Sequence, residues 1–297
     1  MVNKKHRIKR TFGDLAFDAV NDIILWFLVI VTIYPFLYVL FASFSDPARF
    51  ASHSGLLLKP LGFEVQAYKA VFQNQNILTG YKNTLFYVVV GTTVSMILTT
   101  MSAYVLSRKG YKLKKLLNFM VVFTMFFSGG LIPFYLQVNN LGLGDTRWAL
   151  IFPSAMSTYN MIVMRTAFAS VPESLEESAR IDGAQDFTIL FRIVIPLSIP
   201  TVAIIILFYG VSKWNAWFYA MVFLRNRKLY PLQLILREIL VLSSTSDMVT
   251  DMYAGKDLLS ETIKYATIMV ATVPILCVYP FIQKYFVKGI MIGAVKG

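Results

Sequence analysis

Side chains that carry catalysis or bind metals are scarce in this chain of 297 residues. Its two histidines, His6 and His53, lie in different flanking segments, which argues against a zinc site or a histidine acid/base pair. The one cysteine, Cys277, leaves no disulfide framework. The sequence also lacks the nucleophile-elbow, zinc-protease and phosphate-loop motifs. We therefore expect this chain to be no enzyme and to carry no metal or cofactor.

Charged residues are also few, at 15% of the chain, whereas soluble domains have roughly 25%. Six apolar runs are each close to or above the roughly 17 to 25 residues that a helix needs to cross a bilayer. They cover residues 23–44, 84–107, 116–136, 148–164, 193–212 and 265–283. The sequence therefore predicts an all-α polytopic membrane protein with six transmembrane helices.

Acidic residues are missing from all six runs, although the chain has sixteen of them. Proton-driven pumps and carriers commonly place Asp, Glu or His inside their spans. Their absence argues against proton coupling, but sodium sites can be built from backbone carbonyls. An ion-coupled secondary carrier that works without an ATPase therefore stays open, as does a scaffold that does not transport. If the protein transports, we expect its energy to come from another chain.

The net charge of +12 follows from where the basic residues lie. Five precede the first run and five more lie in the loop after the second run: Lys4, Lys5, Arg7, Lys9, Arg10, Arg108, Lys109, Lys112, Lys114 and Lys115. Because such residues are retained on the inner side, we expect both segments, and with six spans also the C-terminus, to be cytoplasmic. The predicted parts are a tail over residues 1–22, a membrane domain over 23–286 and a tail over 287–297. The charge thus suits a lipid bilayer and indicates no nucleic-acid partner.

The densest acidic segment, "ESLEESARIDGAQD" at residues 173–186, lies on the predicted cytoplasmic side between the fourth and fifth runs. Pro172 suits the first helical position, and Glu176 with Arg180 suits an i,i+4 ion pair. Gly183 suits the left-handed position that ends a helix. A second short helix is predicted to follow, up to about residue 195. An acidic helix is repelled by an anionic membrane surface, so we interpret this helix-turn-helix as a binding element for a protein partner.

This segment carries a resemblance to a known family. The stretches "EESARIDGA" and "FRIVIPLSIP" resemble the EAA loop of bacterial ABC import permeases, here at about residues 171–197. The motif matches Glu177, Ser178, Ala179, Gly183, Ile193, Ile195 and Pro196, with Ser178 in place of Ala and Ile195 in place of Leu. The stretches "WNAWF", "QKYFVKGIMIGAVKG", "FSGGLIPFYL" and "LGLGDTRWALIFP" are similar to the maltose-permease-like, carbohydrate-uptake branch and its oligosaccharide subgroup.

The resemblance implies a transport subunit of the bacterial cytoplasmic membrane. Its loop would be a coupling helix that docks on a separate cytoplasmic ATPase, where ATP hydrolysis takes place. The expected partners are ATPase subunits, an extracytoplasmic sugar-binding protein and a second permease, which is favoured to be a different chain. The expected coupling residues are Glu176, Glu177, Ala179, Arg180, Asp182, Gly183 and Ala184.

The fifth run ends in residues that suit sugar binding. Sugar sites favour aromatic faces and side chains that exchange hydrogen bonds with hydroxyl groups. Such residues are Tyr209, Lys213, Trp214, Asn215 and Trp217, which we expect to line the substrate pathway. The alternative is an aromatic belt at the membrane interface. Lys213 extends the hypothesis to an acidic oligosaccharide, because we expect it to lie uncompensated near the cavity.

Overall fold

A computed structural model of the protein describes residues 11–108, 112–249 and 258–294. Every regular element in these ranges is helical, which confirms the all-α class. The α-helices are α1 Phe12–Ser43, α2 Pro47–Ala51, α3 Gln66–Gln73, α4 Gln75–Ser107, α5 Lys114–Phe126, α6 Leu131–Asn140, α7 Thr158–Ala169, α8 Glu173–Ile181, α9 Asp186–Ile189, α10 Ile195–Leu197, α11 Ile199–Trp214, α12 Phe218–Phe223, α13 Leu232–Val249 and α14 Leu258–Ala294. A π-helical turn, Leu190–Val194, joins α9 to α10, and 3-10 turns lie at Arg147–Leu150 and Arg227–Leu229.

Three helical segments of the described residues are long and apolar enough to cross a membrane: Phe12–Ser43, Gln75–Ser107 and Glu261–Val278. Two bent pairs can each supply one more. The chain bends by 116° between α5 and α6, and by 89° between the segment Asp186–Leu197 and α11. The described part of the chain therefore contains three to five candidate spans.

The fourth apolar run, residues 148–164, is not the single helix that we predicted. It begins in a 3-10 turn, continues through irregular backbone and becomes helical only at Thr158. The helix α7 has 12 residues, so it is about 18 Å long against a hydrocarbon core of about 30 Å. Pro153 falls within the irregular part, where its ring and missing N–H disfavour a helix.

Several element ends also differ from the prediction. The first helix begins at Phe12, so part of the predicted tail is helical, and the backbone N–H of Thr11 donates to Asp14 Oδ2 at 2.8 Å in its first turn. This capping arrangement fixes the helix start earlier than the apolar run does. At the other end, α14 continues through residues 287–294, which belong to the predicted C-terminal tail. Residues 295–297 lie outside the described ranges.

The helix α13 follows the 3-10 turn at Arg227–Leu229. Its first half has a buried apolar face that includes Leu232, Leu234 and Ile235. Burial of these apolar side chains stabilises the helix by removing apolar surface from water, which a solvated loop would not do.

The chain divides into two compact units, of which the first comprises Met1–Val71 and Ser246–Met269. Its core contains Ala42, Phe50 and Leu57. The rings of Tyr38, Phe50 and Tyr265 meet edge to face with centroids 5.4–6.3 Å apart, an arrangement that aromatic quadrupoles favour. Most apolar side chains of α1 before this core are exposed, as expected of a surface that faces lipid.

The second unit comprises Phe72–Thr245 and Val270–Gly297. Its central helix is α4, which packs against α7 and α11. Small residues recur every four positions along one buried face of α4, at Gly91, Ser95, Thr99 and Ala103. Such spacing puts them on one side of the helix and lets neighbouring backbones come close.

The first half of α4 binds the backbone that follows α12. Asn83 Nδ2 donates to the carbonyl oxygens of Lys228 at 2.7 Å and Tyr230 at 3.0 Å. Thr84 Oγ1 accepts from the N–H of Leu232 at 2.8 Å. These polar side chains are buried, so the bonds satisfy irregular backbone at the start of α13.

A second link to this segment comes from Asp145, in the turn between α6 and α7. Its Oδ1 accepts from the N–H groups of Asn226 and Arg225, both at 2.8 Å, and its own N–H donates to the carbonyl of Phe223 at 2.9 Å. The backbone hydrogen bonds from Asn226 and Arg225 hold the pKa of Asp145 below its usual range. The turn at residues 139–147 is thereby fixed to the residues after α12.

Candidate coupling loop and transport cavity

The predicted coupling segment folds as a short helix with a defined stop. Pro172 precedes α8 as its N-cap rather than occupying the first helical position. At the other end, the N–H of Ala184 donates to the carbonyl of Ala179 at 2.9 Å, and that of Gly183 to the carbonyl of Arg180 at 3.0 Å. Gly183 has φ +81°, so this is a Schellman stop and the prediction for Gly183 is confirmed.

The predicted ion pair between Glu176 and Arg180 is wrong. Glu176 is 5% exposed and pairs instead with Arg108, the residue that follows α4. Arg180 pairs with Asp186 in the first turn of α9. Spacing on one helix suggested the i,i+4 pair, but Glu176 lies on the buried side of α8, where another segment supplies the cation.

The remaining predicted coupling residues divide between two faces of the loop. Ala179 and Ala184 are partly buried and pack against the core formed by α4, α7 and α11. Glu177 and Asp182 are exposed. Sequence reasoning missed Ile181, which is 87% exposed at the end of α8. Its position in the sequence could have revealed it. An isoleucine beside the helix stop has no apolar partner on its own helix and is therefore a candidate for contact with another protein.

A charged cavity of about 710 Å³ lies beside the buried ion pair. Residues from the end of α4, from the turn between α7 and α8 and from α8 itself line it, including Ser107, Arg108, Glu173, Glu176, Glu177 and Arg180. Burial lowers the pKa of Arg108 from its ordinary value. An arginine remains charged even so, so the cavity holds a fixed positive group among carboxylates.

A second cavity, of about 1310 Å³, is lined by α4, by residues 154–160, by α11 and by residues 274–278 of α14. Three of the predicted pathway residues, Tyr209, Lys213 and Trp214, line it. The other two are elsewhere. Asn215 is the exposed C-cap of α11, and the ring of Trp217 lies under the guanidinium of Arg237 at 4.7 Å. A turn follows α11 at these positions and directs them away from the cavity.

Lys213 is 5% exposed, and its ammonium group is not uncompensated as we expected. Its Nζ lies 2.5 Å from Ser154 Oγ, 3.2 Å from the Ser154 carbonyl and 3.4 Å from the Leu150 carbonyl. Its stem passes close to Gly91, where an added Cβ would come within 3.2 Å of Lys213 Cε. The glycine on α4 therefore makes room for the lysine.

Tyr209, one turn before Lys213 on α11, contacts the same irregular segment. Its hydroxyl accepts from the N–H of Ser157 at 3.0 Å and lies 2.7 Å from Thr99 Oγ1 of α4. Irregular backbone at membrane depth needs such partners. Tyr209 and Lys213 together supply hydrogen-bond partners for backbone groups of the broken fourth run. The sequence alone did not indicate this role.

Trp214 presents a buried donor at the second cavity. Its side chain is 8% exposed, and no atom of the described residues accepts a hydrogen bond from its Nε1. Its ring meets that of Tyr81 edge to face, with centroids 6.3 Å apart. A buried N–H without an acceptor destabilises the fold. An acceptor that enters the cavity would remove this cost by binding the N–H.

Metal ligands are not gathered at either cavity. Within residues 11–108, 112–249 and 258–294, no group of three or more His, Cys, Asp or Glu side chains could hold a metal ion.

The chain was compared with known protein families and structures. A family model described as the inner membrane component of binding-protein-dependent transport systems matches residues 8–292. The chain belongs to this family. The permease is accordingly a subunit of a transporter in the inner membrane and not an enzyme, and the family implies ATPase subunits and a second permease as partners.

Individual relatives agree with this assignment. The permease is 43% identical over 283 residues to the polygalacturonan/rhamnogalacturonan transport system permease protein YtcP of Bacillus subtilis (strain 168), across 95% of this chain and 98% of that one. It is 41% identical over 292 residues to Protein LplC of the same strain, across 98% and 99% of the two chains. The resemblance noted at residues 171–197 is thus confirmed, and it decides for an importer over an ion-coupled carrier.

A solved structure is also similar to the permease. It is the crystal structure of a bacterial ABC transporter involved in the import of the acidic polysaccharide alginate. One of its chains matches with a TM-score of 0.85 and 34% identity, across 94% of the permease and 100% of that chain.

Proposed function

We propose that the permease forms, with a second permease of different sequence, the pathway of an ATP-driven importer of oligosaccharides from acidic polysaccharides. The observation that carries this proposal is the cavity of about 1310 Å³ with the unpaired indole N–H of Trp214. The substrate class comes from the relatives, two of which are named for polygalacturonan/rhamnogalacturonan and for alginate. We propose no cofactor for this chain.

The cavity has the size and chemistry that an oligosaccharide needs. Pockets for small ligands hold about 300–1,000 Å³, and this cavity exceeds that range. The Tyr81 and Trp214 rings offer faces for sugar rings, and Trp214 Nε1 offers a donor for a hydroxyl or carboxylate oxygen. Lys213 supports the cavity wall instead of providing a free charge.

Energy is proposed to enter through α8. The exposed side chains of Glu177, Ile181 and Asp182 provide two charges and an apolar anchor for a cleft in the ATPase. The stop at Gly183 and the pair between Arg180 and Asp186 hold α8 against α9. A stiff helix of this kind can convert a change of ATPase shape into movement of the helices that follow.

We further propose six crossings with cytoplasmic termini, a membrane domain over residues 23–286 and tails over residues 1–22 and 287–297. Two contacts support this topology. The segments predicted to be cytoplasmic meet at the ion pair between Arg108 and Glu176. Six crossings place the loops after the third and fifth runs outside, and these two loops meet where Asp145 binds the backbone of Arg225 and Asn226. The fourth crossing would consist of the irregular residues 148–157 and α7.

The topology can be tested by cysteine labelling in a Cys277→Ala background. Ser178 on α8 and Ser54 in the loop after α2 are both exposed. A membrane-impermeant maleimide added to intact cells should label Ser54→Cys and should label Ser178→Cys only after the membrane is opened. Labelling of both positions in intact cells would contradict the six-crossing arrangement.

The substrate cavity can be tested with matched tryptophan variants in proteoliposomes that contain the partner subunits and the binding protein. Trp214→Phe removes the indole N–H and keeps an aromatic ring. Since one hydrogen bond contributes about 0.5–1.5 kcal/mol, we expect the KM for oligogalacturonate uptake to rise about two- to twelvefold. Trp217→Phe is the control, because Trp217 does not line the cavity. Equal uptake by both variants would assign the pathway to the second permease.

A further inference from the structure

The C-terminal end of α4 is joined to α8 by an ion pair. Arg108 follows the last residue of α4, and its Nη1 pairs with Glu176 Oε1 of α8. The pair is enclosed, with 20% of the Arg108 side chain and 6% of the Glu176 side chain exposed. A buried pair of this kind is strongly disturbed when one partner is removed.

The same guanidinium also contacts α7. Its Nη2 donates to the carbonyl of Phe168 at 3.1 Å, its Nε donates to Ser107 Oγ at 3.0 Å, and its carbon lies 4.7 Å above the ring of Tyr104. Lys114 Nζ, at the start of α5, donates to the Arg108 carbonyl at 2.7 Å. Arg108 therefore joins the ends of α4, α7 and α8 at one point.

The contacts of Arg108 matter because α4, unlike α7 and α9, is not adjacent to α8 in the sequence. The helix α7 leads directly into α8, and α9 follows it after the stop at Gly183. The helix α4 ends at Ser107, 66 positions before α8 begins at Glu173. It can therefore follow α8 only through side-chain contacts. The α4 helix carries Gly91 beside Lys213 and Thr99 beside Tyr209, which places it at the substrate cavity.

We propose that the ion pair between Arg108 and Glu176 transmits displacement of α8 to α4 and so couples the ATPase to the cavity wall. This inference rests on the proposed function, in which α8 docks on the ATPase. Arg108 and Glu176 are positioning residues, because they act through the helices that bear them. Glu176 thereby has a role inside its own chain, whereas Glu177 beside it remains directed outward.

The test is a charge swap in the assembled transporter. Complexes with Arg108→Glu, Glu176→Arg and the double swap are reconstituted in proteoliposomes, and ATP hydrolysis and sugar uptake are measured together. We expect each single variant to retain hydrolysis but to lower uptake per ATP by about tenfold, within the range of coupling between sites. The double swap is expected to recover most of the lost uptake.

Two further variants keep the test decisive. Glu176→Gln removes the charge but keeps the size of the side chain. It replaces the charge-reversal variants if these prevent assembly of the transporter. Glu238→Gln is the matched control, because it breaks the exposed ion pair between Arg227 and Glu238, whose atoms are 2.5 Å apart, far along the chain from α8. Normal uptake per ATP in Arg108→Glu and Glu176→Gln would overturn the proposal, and so would a folded double swap that recovers nothing. Failure of the proposed function is a separate result, in which the unmodified chain binds no ATPase.

Discussion

Replacing Gly183 with valine is expected to abolish ATP hydrolysis stimulated by the loaded binding protein, while the permease still inserts and assembles. Gly183 has φ +81° and its N–H donates to the Arg180 carbonyl. A residue with a Cβ costs about 1–2 kcal/mol in this region, and a β-branched residue is less suited still. The cost falls on the stop between α8 and α9, so the helix no longer holds its orientation. Hydrolysis and uptake in proteoliposomes measure the effect.

Gly142 provides a matched control for this variant. It also has a positive φ, +68°, and, as at Gly183, no atom of the described residues lies within 4 Å of a Cβ built there. Gly142→Val thus imposes the same type of backbone strain in the turn at residues 139–147, away from α8. Gly183→Asn should restore much of the activity, since asparagine tolerates the left-handed region. Equal loss in both valine variants would mean that general strain, and not the coupling helix, causes the defect.

Lys213→Met is expected to destabilise the permease without changing which sugars it carries. The methionine fills a similar volume but removes the donor to the Leu150 carbonyl, the Ser154 carbonyl and Ser154 Oγ. The Leu150 carbonyl keeps the hydrogen bond from Ser154 Oγ at 2.8 Å, so the Ser154 carbonyl is the group that loses its donor, at a cost of about 1–3 kcal/mol. We therefore expect the thermal midpoint of the purified transporter to fall by several degrees, with lower uptake for charged and neutral oligosaccharides alike.

Lys82→Met is the control for the loss of a lysine, because Lys82 is an exposed residue of the same central helix that carries Gly91. This change should leave the thermal midpoint and the uptake close to those of the unmodified permease. A Lys213→Met transporter of normal stability that rejects only acidic oligosaccharides would instead identify Lys213 as the substrate's charge partner, and the support of residues 150–154 would then be secondary.

Local sequence rules predicted the parts of the fold that depend on near neighbours. The stop at Gly183 follows from the freedom of glycine at positive φ, and it is present. The third run contains Gly129, Gly130 and Pro133, and the chain bends by 116° at this place, between α5 and α6. In both cases the residue type determines the local backbone conformation, glycine by its freedom and proline by its restriction, so no distant contact is needed.

Contacts between distant segments could not be predicted in this way. Arg108 was interpreted as one of several basic residues that set the topology, yet it pairs with Glu176 across the fold. Lys213 was interpreted as a charge for the substrate, yet its Nζ donates hydrogen bonds to carbonyl oxygens of the broken fourth run. The sequence shows that a charged residue is present. Its partner depends on which segments come close in the fold, and this is determined by the small residues of α4.

The position of Gly91 on α4 bears on how the two ends of the permease move. This helix is unbroken over 33 residues, about 50 Å, and Gly91 stands midway between Gln75 and Ser107, where it meets the stem of Lys213. Arg108 lies beyond one end and Asn83 holds the Lys228 carbonyl near the other. A rigid rod that pivots at its midpoint swings its ends in opposite directions. Movement of the Arg108 end in one direction would then accompany movement of the Asn83 end in the other, so the reciprocity that alternating access requires would be built into a single helix.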